Sequence, residues 1–311
     1  MKIFVYTALG EAARQYLKEQ LPANAEVTFN ADLPADQAQV ALQAADVLFG
    51  NPPPAWLTAG PLPQLKFWQI DSAGFDRYKG VQLAAPVANM GDFFAWACAE
   101  TMVAGLLALY RRLPELVLLQ EKQQWVGAAV RGRQGLLRGK RIVILGAGTI
   151  GQAVREQLSG FGCAVQFLAR RDPQAQLHTK EELAAALPET DVVVNCLPGS
   201  ADGFFSAELV AAMRPDAIYA SVGRGNTTDE PALIAALQAG RLGGAVLDVT
   251  ATEPIPADHP LWALPNVLLT QHTGGGQPHE AEGKVDQLVR NLARLRAGQP
   301  LENLVELGEG Y

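Results

Sequence analysis

The sequence predicts an α/β protein, a doubly wound parallel sheet accompanied by a second, smaller α/β domain, on three observations. From Arg141 onward, short apolar runs alternate with helix-length segments, the pattern of a parallel sheet covered on both faces. A glycine-rich turn, Gly146-Ala147-Gly148-Thr149-Ile150-Gly151, follows the first of those runs and opens the first of those helices. A similar alternation occupies the N-terminal part, and 311 residues exceed the usual span of one domain.

In the N-terminal part, strands are expected at Lys2 to Thr7, Glu26 to Phe29, Asp46 to Phe49, Lys66 to Ile70 and Pro86 to Asn89. Helices are expected near Glu11 to Glu19 and Ala35 to Ala44. Phe93 to Arg112 has helical periodicity with Pro114 just beyond it, and should carry the chain between domains. The second set of strands is Arg141 to Leu145, Val165 to Ala169, Asp191 to Leu197, Ala217 to Val222, Gly244 to Val249 and Asn266 to Thr270. Helices fall at Thr149 to Ser159, Lys180 to Leu187 and Asp229 to Ala239, with Thr179 and Thr228 as N-caps of the last two. Glu280 to Arg296 reads as a helix returning to the first domain. The expected division is therefore 1–95 with 277–311 as a substrate domain and 96–276 as a dinucleotide-binding domain, with a cleft between them. The usual strand order for the latter is 3-2-1-4-5-6.

Composition narrows the partners. A net charge of -7, a pI near 5.2 and no run of Lys and Arg longer than two argue against a nucleic-acid surface. The apolar stretch around Met102 to Tyr110 is too short to span a bilayer. Cys98, Cys163 and Cys196 are odd in number and dispersed, so they read as buried thiols rather than a disulfide framework or a metal site. A small-molecule partner and the cytoplasm are the default readings.

In the glycine turn, Gly146 allows a tight bend, Gly148 lets the backbone approach a pyrophosphate at the helix N-terminus, and Gly151 permits close helix–strand packing. An NAD site ordinarily carries an acidic residue about 20 residues further on, at the end of the second strand. Here that strand ends in Ala169-Arg170-Arg171, and Asp172, followed by Pro173, is a poor substitute. Two guanidinium forks suit a 2'-phosphate, so NADP(H) is the expected cofactor and NAD(H) the alternative. Two adjacent arginines are also compatible with a solvated strand end.

Ligands of doubly wound sheets bind outside the carboxyl ends of the strands. The loops after the fourth, fifth and sixth strands carry Arg224, Glu253 and His272. A hydride acceptor bearing a carboxylate needs a fixed cation, a proton donor and a group that orients that donor, roles that Arg, His and Glu supply. Of the four histidines, His178, His259 and His279 lack such a setting and read as surface residues.

These residues carry a resemblance. LGAGTIGQAV, NCLPGS, SVGRGNTTDEPAL, GAVLDVTATEPIPADHPLW, NVLLTQHTGG and the closing EGY resemble the D-2-hydroxyacid dehydrogenases, near the glyoxylate and hydroxypyruvate reductases. The resemblance covers most of Leu145 to Gly276 and is weaker before Glu100. It implies a Rossmann nucleotide domain beside a flavodoxin-like substrate domain, and reversible reduction of a 2-oxo acid to a D-2-hydroxy acid. It also implies that Arg224 binds the substrate's carboxylate and carbonyl, that His272 exchanges the proton and that Glu253 supports His272. Asp248 resembles the residue that binds the nicotinamide carboxamide. Thr149, Ile150, Leu197, Pro198, Val222, His272 and Gly274 fall with the glycine turn on the cofactor side, and Ser72, Ala73 and Gly74, following Asp71, resemble the backbone loop that grips the substrate carboxylate.

Three positions depart from the family pattern: Ser221 for the usual Asn, Thr250 for a larger aromatic, and Gln271 for the Pro that commonly precedes the histidine. The family is commonly dimeric, so Phe93 to Gly132, with Trp96 and Trp125, would serve a homodimer interface; burial of those aromatics within one subunit is the other reading. Trp56, Phe75, Phe93 and Phe94 are the candidates for lining the substrate pocket. Two competing functions share these residues: phosphite oxidation on the same fold, and a non-enzymatic NAD(P)-sensing protein.

Overall fold

Two parallel sheets organise the chain, each inside its own compact unit, in a computed structural model that describes residues 1–309. Gly310 and Tyr311, the end of the EGY motif, lie outside the described residues. One unit is Met1–Phe94 together with the chain from Gln277 onward; the other is Ala95–Gly276.

The first unit runs β1 (Lys2–Val5), α1 (Glu11–Gln20), β2 (Glu26–Phe29), α2 (Ala35–Gln43), β3 (Val47–Phe49), α3 (Pro54–Thr58), β4 (Phe67–Gln69) and β5 (Val87–Ala88). Its sheet order is β2-β1-β3-β4-β5, all parallel. Successive strand residues point to opposite faces. Ile3, Val5, Phe49 and Phe67 join Leu17, Val285 and Leu288 in one cluster, while Phe4, Leu48 and Trp68 join Ala38, Leu42 and Leu57 in another. Both faces are thus covered, which is why the strands read as unbroken apolar runs.

The second unit begins with α4 (Ala95–Tyr110), α5 (Leu113–Glu121) and α6 (Gly127–Arg131). It continues through β6 (Arg141–Leu145), α7 (Thr149–Leu158), β7 (Ala164–Leu168), α8 (Lys180–Ala186), β8 (Val192–Asn195), α9 (Ala207–Ala212), β9 (Ile218–Ser221), α10 (Glu230–Gln238), β10 (Gly244–Leu247) and β11 (Val267–Leu269). The last α-helix among the described residues, α11 (Glu280–Arg296), belongs to the first unit.

Two expectations are corrected. The strand order is β7-β6-β8-β9-β10-β11, or 2-1-3-4-5-6 by position in this unit, not 3-2-1-4-5-6. A third strand after β7 is reduced to a single parallel bridge, Leu168 to Leu177, too short to have shown as an apolar run. The N-cap of α10 is Asp229, whose carboxylate accepts from the Ala232 amide at 3.0 Å, because the Thr228 hydroxyl is held 2.5 Å from that of Tyr219. Pro114 lies just beyond α4, as expected: the chain turns at Arg112 (φ 56), and Pro114 enters the first turn of a further helix, α5, where its missing N–H breaks no helical hydrogen bond. Thr179 does cap α8, in a capping box with Glu182.

α11 is tied to the first sheet by polar contacts that no hydrophobic pattern reveals. Asn291, fully buried, donates 2.9 Å to Gln69 Oε1 and holds both backbone groups of Glu302. The Glu302 carboxylate accepts from Arg290, Gln287 and Arg294, and the Arg290 guanidinium above all holds its carboxyl below the usual range. A carboxyl depressed in the folded state stabilises above its unfolded value of about 4.3, and that contribution is lost as pH falls through the folded value. The arginines are partly solvated, so screening keeps the contribution to about 0.5 kcal/mol. Glu302→Gln should therefore lower stability by about that much at neutral pH and by nothing near pH 2; urea unfolding at both pH values checks this, and an equal loss at both would contradict it.

Candidate active site

The glycine turn joins β6 to α7. Gly146 sits at φ 96, a left-handed conformation that favours glycine, and a Cβ on Gly151 would lie 2.3 Å from the Gly146 carbonyl oxygen. Gly148 is the N-cap of α7; no side chain caps the helix and open space surrounds the position a Cβ would take. The residues present therefore fit a dinucleotide pyrophosphate: uncovered first-turn amides at the positive end of a helix dipole, with room for close approach. Thr149 is exposed and Ile150 half-buried beside this turn. The Leu197 side chain comes within 3.7 Å of where a Gly146 Cβ would be, Pro198 follows it, and the Val222 amide donates to the Asn195 carbonyl.

At the end of β7, Arg170 and Arg171 are both exposed, and neither guanidinium has a partner among the described residues. Asp172 is occupied in a local turn, accepting from the Gln174 amide at 2.8 Å. His178 is exposed and its ring Nδ1 lies 2.8 Å from the Ala169 carbonyl.

Arg224, Glu253 and His272 stand on the loops after β9, β10 and β11, which are neighbours in the sheet. His272 Nδ1 lies 2.6 Å from Glu253 Oε2. A carboxylate has only lone pairs to offer, so Nδ1–H donates and Nε2 is the nitrogen left for another partner. The other Glu253 oxygen accepts from the Thr250 amide at 2.9 Å. The His272 side chain is half-exposed. Gln271 and His272 have φ values of 53 and 56, two consecutive left-handed non-glycine residues, a conformation proline could not adopt at Gln271.

Asp248 anchors this turn from below. Its buried Oδ1 accepts from the Thr270 hydroxyl at 2.6 Å, the Gly274 amide at 2.9 Å and the Thr273 amide at 3.0 Å, and its carbonyl accepts from the His272 amide at 2.6 Å. Gly274 is closed in by that carboxylate, and its own carbonyl accepts from Thr101 of α4.

Arg224 is held through its backbone by a polar network that the sequence did not reveal. Asn195, fully buried at the end of β8, donates 2.8 Å to both the Tyr219 and Thr227 hydroxyls, and Thr227 donates 2.6 Å to the Arg224 carbonyl. Burial pushes the Tyr219 phenol up to about 12. Of the other histidines, His259 is corrected from a surface residue: it is mostly buried, with Nε2 3.4 Å from Glu230.

In the first unit, Ser72, Ala73 and Gly74 form a half-buried loop after β4 whose amides donate to no acceptor among the described residues. The loop is braced by Asn51, whose side chain donates 2.9 Å to the Ser72 hydroxyl, and by Asn89, which donates 2.6 Å to the Ala73 carbonyl. Phe75 is not a pocket residue: it is 1% exposed inside the core. Trp56 packs edge-on against Tyr6, and Phe93 against Phe94. Trp125 is 99% exposed and Trp96 about half, so neither is buried within the subunit. Burial raises all three thiols, Cys98 to about 11 and Cys196 to about 12, so none is poised as a nucleophile.

A dinucleotide turn and a carboxylate-oriented histidine at the carboxyl ends of strands in one parallel sheet are the features of an NAD(P)-dependent oxidoreductase. Residues 103–274 match the D-isomer specific 2-hydroxyacid dehydrogenase, NAD binding domain. Glyoxylate/hydroxypyruvate reductase A from Serratia proteamaculans is 32% identical over 218 residues, 68% of each chain. A D-isomer specific 2-hydroxyacid dehydrogenase from Xanthobacter autotrophicus, crystallised with NADPH and MES, aligns with TM-score 0.82 at 26% identity, covering 100% of this chain and 99% of that one. An NADPH-dependent glyoxylate/hydroxypyruvate reductase from Sinorhizobium meliloti shares the fold at TM-score 0.84 and 23% identity, over 100% and 99% of the two chains. The chain belongs to the D-isomer specific 2-hydroxyacid dehydrogenase family, oxidoreductases that act on CH–OH groups with NAD(P).

The Asn195 network makes a stability prediction. Asn195→Ala leaves the Tyr219 and Thr227 hydroxyls without their shared donor in a buried site, so it should cost about 2 kcal/mol in urea unfolding. A loss below about 0.5 kcal/mol would mean the network contributes nothing beyond packing.

Proposed function

We infer that the protein reduces a small 2-oxo acid, glyoxylate or hydroxypyruvate in kind, to the D-2-hydroxy acid, with NADPH preferred and NADH as the alternative. The reading rests on the 2.6 Å pairing of His272 Nδ1 with Glu253, which leaves Nε2 as the proton donor. The Gly146 to Gly151 turn, with Leu197, Pro198, Val222, Asp248 and Gly274, would hold NADPH, which would supply the hydride for carbon 2. As the hydride's electron pair forms the new C–H bond, the C–O π pair moves to oxygen and takes the Nε2 proton of His272, acting as imidazolium, while Glu253 keeps the ring in register. The Arg224 guanidinium pairs with the substrate's carboxylate and polarises the carbonyl. In the first unit, taken as the substrate domain, the unengaged amides of Ser72, Ala73 and Gly74 make a carboxylate-binding loop.

NADPH is favoured because Arg170 and Arg171 are exposed and have no partner among the described residues, while Asp172 accepts from the Gln174 amide in a local turn, so a 2'-phosphate would meet two available guanidinium groups. Relatives named for glyoxylate and hydroxypyruvate reduction, and a structure holding NADPH, support the same reading. A homodimer is supported by apolar residues left exposed on and after α5: Val117, Leu118, Trp125, Val126 and Leu136. The three thiols are free and dispersed, in keeping with the cytoplasm.

Steady-state assays with NADPH and NADH against glyoxylate, hydroxypyruvate, pyruvate and bulkier oxo acids should show turnover on the small ones. Phosphite-dependent NADP reduction in place of oxo acid reduction would overturn the substrate. His272→Ala should lower kcat by about a thousandfold with an unchanged melting temperature; near-normal turnover would remove His272 from the mechanism. Arg170→Ala with Arg171→Ala should raise the KM for NADPH at least about tenfold and leave that for NADH within about twofold; an unchanged preference would place the 2'-phosphate elsewhere.

A further inference from the structure

A second carboxylate and a second imidazole lie behind the Glu253–His272 pair. Glu230, the first residue of α10, is buried, 9% exposed, and its carboxylate faces the loop after β10. Its Oε2 accepts from the Ala251 amide at 3.0 Å, and its Oε1 lies 3.4 Å from His259 Nε2. His259 Nδ1 faces the Leu261 amide at 3.5 Å, which places the ring proton on Nε2, toward Glu230. A neutral imidazole therefore suffices for this contact.

The loop so gripped carries Glu253. Thr250, one residue before Ala251, donates its amide to Glu253 Oε1 and its hydroxyl to the Thr252 carbonyl at 2.9 Å. Its carbonyl is pressed against the loop of Arg224: a Cβ on Gly225 would lie 1.8 Å from the Thr250 oxygen. A shift of the Thr250–Ala251 backbone consequently moves the carboxylate that orients His272 and disturbs the backbone beside Arg224. Among the described residues, Glu230 is the side chain that hydrogen-bonds the Ala251 amide.

We propose that Glu230, steadied by His259, is a positioning residue for the reaction: it fixes the Thr250–Ala251 backbone and through it the hydrogen bond from His272 to Glu253. The proposal rests on His272 acting as the proton donor. Glu230 touches neither substrate nor cofactor; its effect passes through one amide. What the Ala251 amide requires for its position is an acceptor oxygen, which a carboxamide also offers, though more weakly than a carboxylate.

That distinction gives the test. Glu230→Gln keeps an acceptor for the Ala251 amide, whereas Glu230→Met has similar length and no oxygen. Three quantities are read on the folded variants: kcat and KM for the oxo acid, melting temperature, and the proton resonance of His272 Nδ1, assigned by its loss in His272→Gln. A proton shared over 2.6 Å with a carboxylate resonates far downfield. Glu230→Met should lower kcat about tenfold with KM changed less than about threefold, and should move the resonance upfield or broaden it away. Glu230→Gln should keep the resonance and stay within about threefold of the wild-type kcat.

A wild-type resonance in Glu230→Met overturns the proposal, as does an equal loss in both variants, which would trace to packing or charge. If Glu230→Met does not fold, amide exchange in the wild-type protein decides: Ala251 should exchange at least about tenfold more slowly than an unbonded loop amide, and unprotected exchange overturns the proposal. The resonance and the exchange rate are both read without substrate. They remain interpretable if the oxo acid screen shows no turnover, so the two failures are distinguishable.

Discussion

The hydrogen bond from His272 to Glu253 joins two loops that leave adjacent strands, and much of the second unit serves to hold its ends. One end is the turn after β11, anchored by the buried Asp248 carboxylate. The other is the loop after β10, closed on itself through the Thr250 amide and gripped from α10 by Glu230. A parallel sheet makes this economical, because every strand delivers its following loop to the same edge. Residues separated by many positions in sequence, such as Arg224 and His272, then need only short loops to reach one region.

The same edge carries the dinucleotide turn, but the physics there is different. The glycine turn works by what is missing: no Cβ at Gly148, no side-chain cap on α7 and close contact of Gly151 with Gly146. The loops after β10 and β11 work by what is satisfied, with Asp248, Thr250 and Glu253 each engaging a loop group. An open backbone suits a polyanion that arrives with its own charge. A proton donor needs a fixed direction, and hydrogen bonds to both its ring and its loop supply one. At the end of β7 the two arginines are exposed and engage no partner among the described residues.

The sequence displayed the periodic and the contiguous. Strands buried on both faces appear as apolar runs, so all eleven named strands and helix α11 stood out within a few residues, and the glycine turn is one local word. The order of the second sheet was missed because its third strand has shrunk to Leu177, a single bridged residue with no pattern of its own. Asp229 and not Thr228 caps α10 because tertiary contact with Tyr219 has claimed the threonine. Arg224, Glu253 and His272 were legible by position, one after each successive strand. Asn195, Glu230 and His259 were not, since each acts on a loop distant in sequence and only the folded backbone brings a partner amide or hydroxyl to it.

The turn bearing His272 illustrates how such hidden contacts decide geometry. Left-handed backbone at two adjacent non-glycine residues, Gln271 and His272, disfavours the observed shape by about 1–2 kcal/mol each. Against this stand three hydrogen bonds to one buried carboxylate oxygen of Asp248, and bonds to a charged acceptor contribute about 1.5–3 kcal/mol each. The anchor outweighs the strain even at the low end of its range. It follows that the ring direction is set by Asp248 and the Glu253 pairing together and not by any local preference of the chain. With a proline in place of Gln271 that backbone could not form, so the glutamine at this position and the left-handed approach to His272 belong to one design. An imidazole held in this way keeps its direction without any ligand being present.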